Sequence, residues 1–242
     1  MRRFMCFLSV LACGFGSSPL LAGSCANVPT SAQLRQYLKS AATTQTPIGG
    51  LFEGTRMWAA VLNRDGELCS IAYSTDDADG LWPGSQAIAK SKAYTANAFS
   101  LDDFALSTAR LYTFTQPGHS LWSLGQSNPF NPLLLAAPGA SGAGRGAIAG
   151  GLIFFGGGVP IYKNAQIVGG LGVSGDTSCA DHEIAKRVRD LAGLNPLFGA
   201  GKLQDDITYS SKDGASVFTH PLCVNTYRNG VFIGNEPAAA GY

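Results

Sequence analysis

The stretch 150–189, GGLIFFGGGVPIYKNAQIVGGLGVSGDTSCADHEIAKRVR, decides the fold, because an apolar run, a glycine triplet, a hairpin and a capped helix follow one another in it. Residues 148–155 read as a short strand that stops at Gly156, Gly157 and Gly158. There the missing Cβ atoms permit positive φ and a close approach of the backbone to a neighbour or a ligand. Residues 159–162 and 166–173 flank Lys163, Asn164 and Ala165, a polar connection in which Asn164 suits the left-handed conformation of a tight hairpin. After Ser174 and Gly175, Ser178 and Asp181 match the spacing of a capping box, and Ile184, Val188 and Leu191 recur at helical spacing. A helix of about four turns is predicted, ending near Gly193 and Pro196.

Upstream, residues 57–63 and 67–73 are apolar runs around Arg64, Asp65 and Gly66, and Asp-Gly in that setting predicts a second hairpin. Residues 31–42 place Leu34, Tyr37 and Leu38 on one helical face, with Thr30 or Ser31 as cap. The run QAIAKSKAYTANAF at 86–99 predicts a helix whose alanines make a smooth face for close packing. Ser100 and Asp103 suggest a further capping box, opening a helix through Phe104, Leu106, Leu111 and Tyr112. Residues 118–146 are poor in charge and rich in Gly, Ala, Ser and Pro, and a connection of that length inside a domain suits a lid or ligand loop.

Two arginines, an apolar core from Phe4 to about Leu21 and then small residues give 1–22 the layout of a secretory signal peptide. The expected protein is therefore exported, periplasmic or secreted, with a domain at 23–198 and an extension packed on it at 199–242. Loss of Arg2 and Arg3 leaves 15 of the 17 basic residues against 16 acidic ones, which speaks against a nucleic-acid partner. No later run is long and apolar enough to suggest a membrane span. Of the six cysteines, Cys25, Cys69, Cys179 and Cys223 follow the leader, an even number that favours two disulfides. Three pairings are open; Cys25 with Cys69 and Cys179 with Cys223 is the expected one, since each bond ties a terminal segment to the domain.

Chemistry has few candidates. Asp76, Asp77 and Asp79 lack the alternate spacing of a calcium loop. Ser174 lies near a Gly-x-Ser-x-Gly pattern whose second glycine falls one place early, which disfavours a hydrolase. Cys179 and His182 are half a zinc site. His182, one turn into its helix beside Asp181, reads equally as a cleft residue or as a hydrogen-bonded structural histidine. His119 lies in the glycine-rich loop, and His220 precedes Pro221 in the tail and reads as structural. Gly156, Gly157 and Gly158 suggest a seat for an anion, with Lys90 and Lys92 on a facing helix, although the triplet opens onto a strand and so disfavours a nucleotide loop.

The segments IAKSKAYTANAF (88–99), FFGGGVPIY (154–162) and IVGGLGVSGDTSCADHEIA (167–185), with the NRDGELC hairpin (63–69), resemble the GlcG/HbpS family of haem-binding and haem-degrading proteins. The resemblance spans about 31–194. It implies a profilin-like α/β (α+β) domain, a five-stranded antiparallel sheet with helices packed on its faces, assembled as a homo-oligomer. It also implies haem or another small anionic ligand. The pocket is then expected among Lys90, Lys92, Tyr94, Thr95, Phe155, Gly156, Gly157 and Gly158, with His182 the first candidate for the iron and His119 the second. Lysines and glycine amides are expected to receive the haem carboxylates. No Cys-x-x-Cys-His is present for covalent attachment. The chain departs from the family pattern in its long 118–146 loop, in Asn164-Ala165 at a turn where glycine is usual, in the tail after Leu194, and in His182 between Asp181 and Glu183. Two rival readings are a small-molecule enzyme using Asp181 or His182 as acid or base, and a non-catalytic subunit of a secreted complex.

Overall fold

In a computed structural model of the protein, residues 23–77, 79–136, 144–197 and 205–238 are described. The expected leader at 1–22 lies outside them. Strands β1 (Trp58–Asn63), β2 (Leu68–Tyr73), β3 (Gly158–Lys163) and β4 (Gln166–Ser174) form one antiparallel sheet in the order β2-β1-β4-β3. Both predicted hairpins are present. Gly66 turns the first at φ 86°, and Asn164 and Ala165 turn the second at φ 52° and 62°.

Helices cover both faces. On one, α1 (Ser31–Ala42) and α3 (Ser178–Leu191) press Leu34, Leu38, Ile184 and Val188 onto Val61, Leu171 and Val173. Thr30 and Gln33 close a reciprocal capping box at the start of α1. On the other face, α2 (Ser85–Ala98) lies unusually close to the sheet because small residues meet there. A Cβ on Gly172 would stand 2.0 Å from the Ala89 carbonyl oxygen, and one on Gly170 2.1 Å from that of Ala93. Only glycine in β4 lets the backbones touch, which is how an alanine-rich helix with little apolar side chain buries itself.

Among the described residues the sheet has four strands, where five were expected. Residues 148–155 are an extended connection lying along α2, with Ile153 N donating to Thr95 Oγ1 at 3.0 Å. Gly150 and Gly151, at φ 67° and 80°, break the alternation that a ladder requires. Just before it, Gly146 N donates to Leu68 O and Leu68 N to Ala147 O, a rudimentary pairing on the open edge of β2. The helix expected after Ser100 is replaced by two 3-10 turns, Thr108–Leu111 and Thr113–Thr115. Ser100 Oγ instead bonds Leu106 N and O, closing a loop.

The extension carries a short ribbon, β5 (Thr226–Arg228) with β6 (Val231–Gly234), packed against α3. The disulfides are Cys25–Cys69 and Cys179–Cys223, the pairing that ties each terminal segment down. Among the described residues no helix is long and apolar enough to cross a membrane.

Candidate functional site

The glycine triplet sits where β3 begins, against the N-terminus of α3. Gly157 O accepts from Val173 N at 2.8 Å, so the turn is sewn to β4. Its three amides all point at side chains of the protein. Gly156 N donates to His220 Nε2 at 3.2 Å, Gly157 N to His182 Nδ1 at 3.4 Å, and Gly158 N to Thr108 Oγ1 at 2.9 Å. The amides expected to seat an anion are thus occupied from within.

These bonds assign the imidazole protons. Because Nδ1 of His182 accepts, its Nε2 carries the hydrogen; that atom is buried without a hydrogen-bond partner among the described residues, and the nearest carboxylate oxygen, of Asp206, is 3.9 Å away. Burial, reinforced by the Lys186 charge, holds His182 well below the ordinary histidine range. His220 has the opposite tautomer, with Nδ1 donating to Pro221 O at 2.7 Å, and burial pushes it down to about 4. Both rings are neutral and sealed in.

Beneath the turn, Lys92 and Asp181 form an ion pair at 2.6 Å whose side chains are 0% and 2% exposed. Lys92 Nζ also donates to Val173 O at 3.1 Å and lies 4.9 Å from the centre of the Phe155 ring. Asp181 Oδ1 accepts from Asp176 N at 3.0 Å, so the side chain does not cap α3. The cap is Thr177, whose side chain accepts from Ala180 N, one residue before the expected Ser178. Burial pushes Asp181 up to about 6 and Lys92 downward, while their mutual attraction opposes both shifts. Lys90 is buried as well, donating to Gln86 Oε1 at 3.1 Å and to Leu134 O, and burial lowers it to about 8. Neither lysine is presented to solvent as a receiver of ligand carboxylates.

Of the expected residues, Lys92, Phe155, Gly156, Gly157, Asp181 and His182 come together, and Gly158 adjoins them. Tyr94 and Thr95 serve elsewhere on α2, the tyrosine hydroxyl accepting from Asn128 at 3.3 Å and Thr95 holding Ile153. His119 is exposed, in the turn that runs from Gln116 to Trp122. That turn borders an apolar cleft of ≈ 350 Å³ walled by Tyr112, Trp122, Leu124, Leu152, Phe154 and Phe155. Size and lining suit a flat apolar ligand. A larger groove of ≈ 450 Å³ is lined by Glu183, Lys186, Arg187, Arg189 and Asp190. Most of its charges are spent internally, Lys186 on Glu183 and Asp206, and Arg187 on backbone carbonyls of 41, 46 and 47. The ligand atoms of Cys179, His220 and Cys223 lie within 4.8 Å of one another, but the two sulfurs are spent on the disulfide.

Sequence reading missed Thr108 and Tyr112 and took His220 as structural with no partner in view. The one available signal was the position of His220 just ahead of Cys223, a cysteine expected to dock the tail on the domain.

No curated protein matches the chain. It is similar to solved structures of the Klebsiella pneumoniae protein ORFY (22% identity over 76% of this chain and 98% of that one, TM-score 0.49) and of a PduOC:heme complex (21%, 68% and 92%, TM-score 0.46). It is also similar to HbpS (18%, 75% and 98%, TM-score 0.46). Residues 39–190, well over half of the sequence, match the family described as haem degrading protein HbpS-like, and the chain belongs to that family.

Proposed function

We propose that the protein is an exported haem-binding protein that sequesters its ligand in the cleft between Tyr112, Trp122, Phe154 and Phe155. Membership of the HbpS-like family supports the ligand class, and a solved relative is a complex with haem. The observation that carries the reading is the apolar cleft itself, with an exposed imidazole, His119, in the turn between Gln116 and Trp122, two residues that line it. The donor set fits: aromatic and aliphatic walls suit the macrocycle, and an imidazole suits the iron. When bound, haem would supply a redox-active iron centre that takes a nitrogen ligand. His119 would hold that iron, and the walls would hold the ring and exclude water from it. His182 keeps the glycine turn in shape in this reading, since its protonated nitrogen faces inward.

Sequestration is favoured over turnover because Asp181 and His182, either of which the enzyme reading would use as acid or base, are buried out of reach of a substrate in the cleft. The leader-like 1–22 segment and two disulfides support export. A homo-oligomer, which the family resemblance implies, is to be checked by light scattering.

The test is a haemin titration of the disulfide-intact protein lacking 1–22. A saturable Soret shift is expected, with an altered spectrum and weaker binding in His119→Ala and little change in His182→Ala. A flat titration overturns the haem reading, and an unchanged His119→Ala spectrum overturns the ligand assignment.

A further inference from the structure

The two walls of the cleft belong to different parts of the chain, and one segment outside the family match touches both. Residues 108–116 supply Tyr112 to one wall, and residues 152–155 supply the other, ending at Gly156. Against the first wall, Arg110 Nε donates to Asp206 O at 2.9 Å and Thr113 Oγ1 to Thr219 O at 2.7 Å. The Phe114 and Phe218 rings meet edge to face at 5.3 Å, and the Tyr112 and His220 rings lie 5.1 Å apart. Against the second wall, the same His220 accepts from Gly156 N at 3.2 Å. One buried imidazole therefore bridges Tyr112 and the residue after Phe155. Three positions later, Cys223 fastens the segment to Cys179 in the first turn of α3.

We infer that residues 205–238 act as a clamp that pre-forms the cleft, with His220 as its positioning residue and Cys179–Cys223 as its anchor. The clamp contributes no group to the ligand. It removes the freedom of the 108–116 and 152–156 segments before anything binds, so the ordering cost is met in folding and the bound state is longer lived. Its effect on binding rests on the cleft being the ligand site; its effect on the free protein does not.

The experiment is hydrogen exchange on the unliganded, full-length mature chain, comparing the natural protein with His220→Ala, His220→Gln and the Cys179→Ser/Cys223→Ser pair. In His220→Ala and in the cysteine pair, amides of 112–116 and Gly156 should exchange about tenfold faster or more, the equivalent of one lost hydrogen bond. Amides of β1 and β2 should keep their protection. His220→Gln, whose side-chain oxygen can accept from Gly156 N, should restore protection at Gly156. In parallel, the dissociation rate of protoporphyrin IX should rise about tenfold in His220→Ala. Unchanged exchange at 112–116 and 156 in both clamp variants overturns the inference, as does equal acceleration throughout the sheet. If the natural protein binds neither haemin nor protoporphyrin IX, the proposed function fails while the exchange data still judge the clamp.

Discussion

Removing one member of the buried Lys92–Asp181 pair should be far more damaging than removing its charge balance as a unit. At 2.6 Å and an effective dielectric of about 20, the gross attraction is about 6 kcal/mol, largely offset by the desolvation of two groups that are 0% and 2% exposed. Asp181→Asn keeps an acceptor for Asp176 N but strands the ammonium, which then has Val173 O and the Phe155 face alone. A loss of about 3–5 kcal/mol is expected at pH 7. Lys92→Met strands a carboxylate that burial already raises to about 6 beside its lysine and that rises further without it. The folded state then holds a proton that the unfolded state releases above about 3.9, so this variant gains stability as the pH falls from 7 to 5. The double variant, Lys92→Met/Asp181→Asn, buries no charge and should lie at least about 2 kcal/mol above the sum of the two singles. Urea unfolding with both disulfides intact, followed by the fluorescence of buried Trp58, measures all four states. A cost below about 1 kcal/mol for Asp181→Asn, or strict additivity, would refute the sealed pair. Asp181 would then be open to solvent, as the enzyme reading requires.

Two further outcomes follow from packing and burial. Gly172→Ala would drive a methyl to within 2.0 Å of Ala89 O and 2.5 Å of Ala93 N, so α2 must lift off the sheet. A loss of about 3 kcal/mol or more is expected in urea unfolding, with Gly84→Ala, whose added methyl meets nothing within 4 Å, close to the natural protein. His220, neutral in the fold down to about 4, takes a proton in the unfolded chain below about 6.5, so its contribution is complete above that pH and is lost as the pH falls towards 4. The acid slope of the unfolding free energy between those values should carry up to about 3 kcal/mol from this residue and flatten in His220→Gln. A slope unchanged by that substitution would place the ring in water.

What could be read before the fold was known was whatever neighbours in sequence decide. Asp65-Gly66 and Asn164-Ala165 announced their hairpins, since a tight turn is a local matter of positive φ. The stripe on α3 and the alanine face of α2 were legible for the same reason. Residues 148–155 were not, because a short apolar run is compatible with a strand or with an extended connection, and two glycine dihedrals decided for the second. The lysines of α2 misled because, on a helix facing the glycine triplet, they read as free to receive an anion. Their burial depends on how far the glycines of β4 let that helix descend, which is a tertiary fact. The same limit hid the partners of the glycine turn: Thr108 lies 50 residues from Gly158 and His220 64 from Gly156, separations that no spacing rule spans.

The arrangement of the two disulfides carries a consequence for how the chain is made. Each joins cysteines 44 residues apart, and the loops neither overlap nor enclose one another. A polypeptide that emerges N-terminus first offers Cys69 to Cys25 before Cys179 has been synthesised, and Cys223 arrives when Cys179 is the remaining thiol of the four. Correct pairing can thus follow the order of appearance, with no exchange of partners afterwards. Between the loops, α2, β3 and β4 carry no covalent link at all, so the bonds fasten the two ends of the molecule while its middle is held by the fit of glycine against alanine.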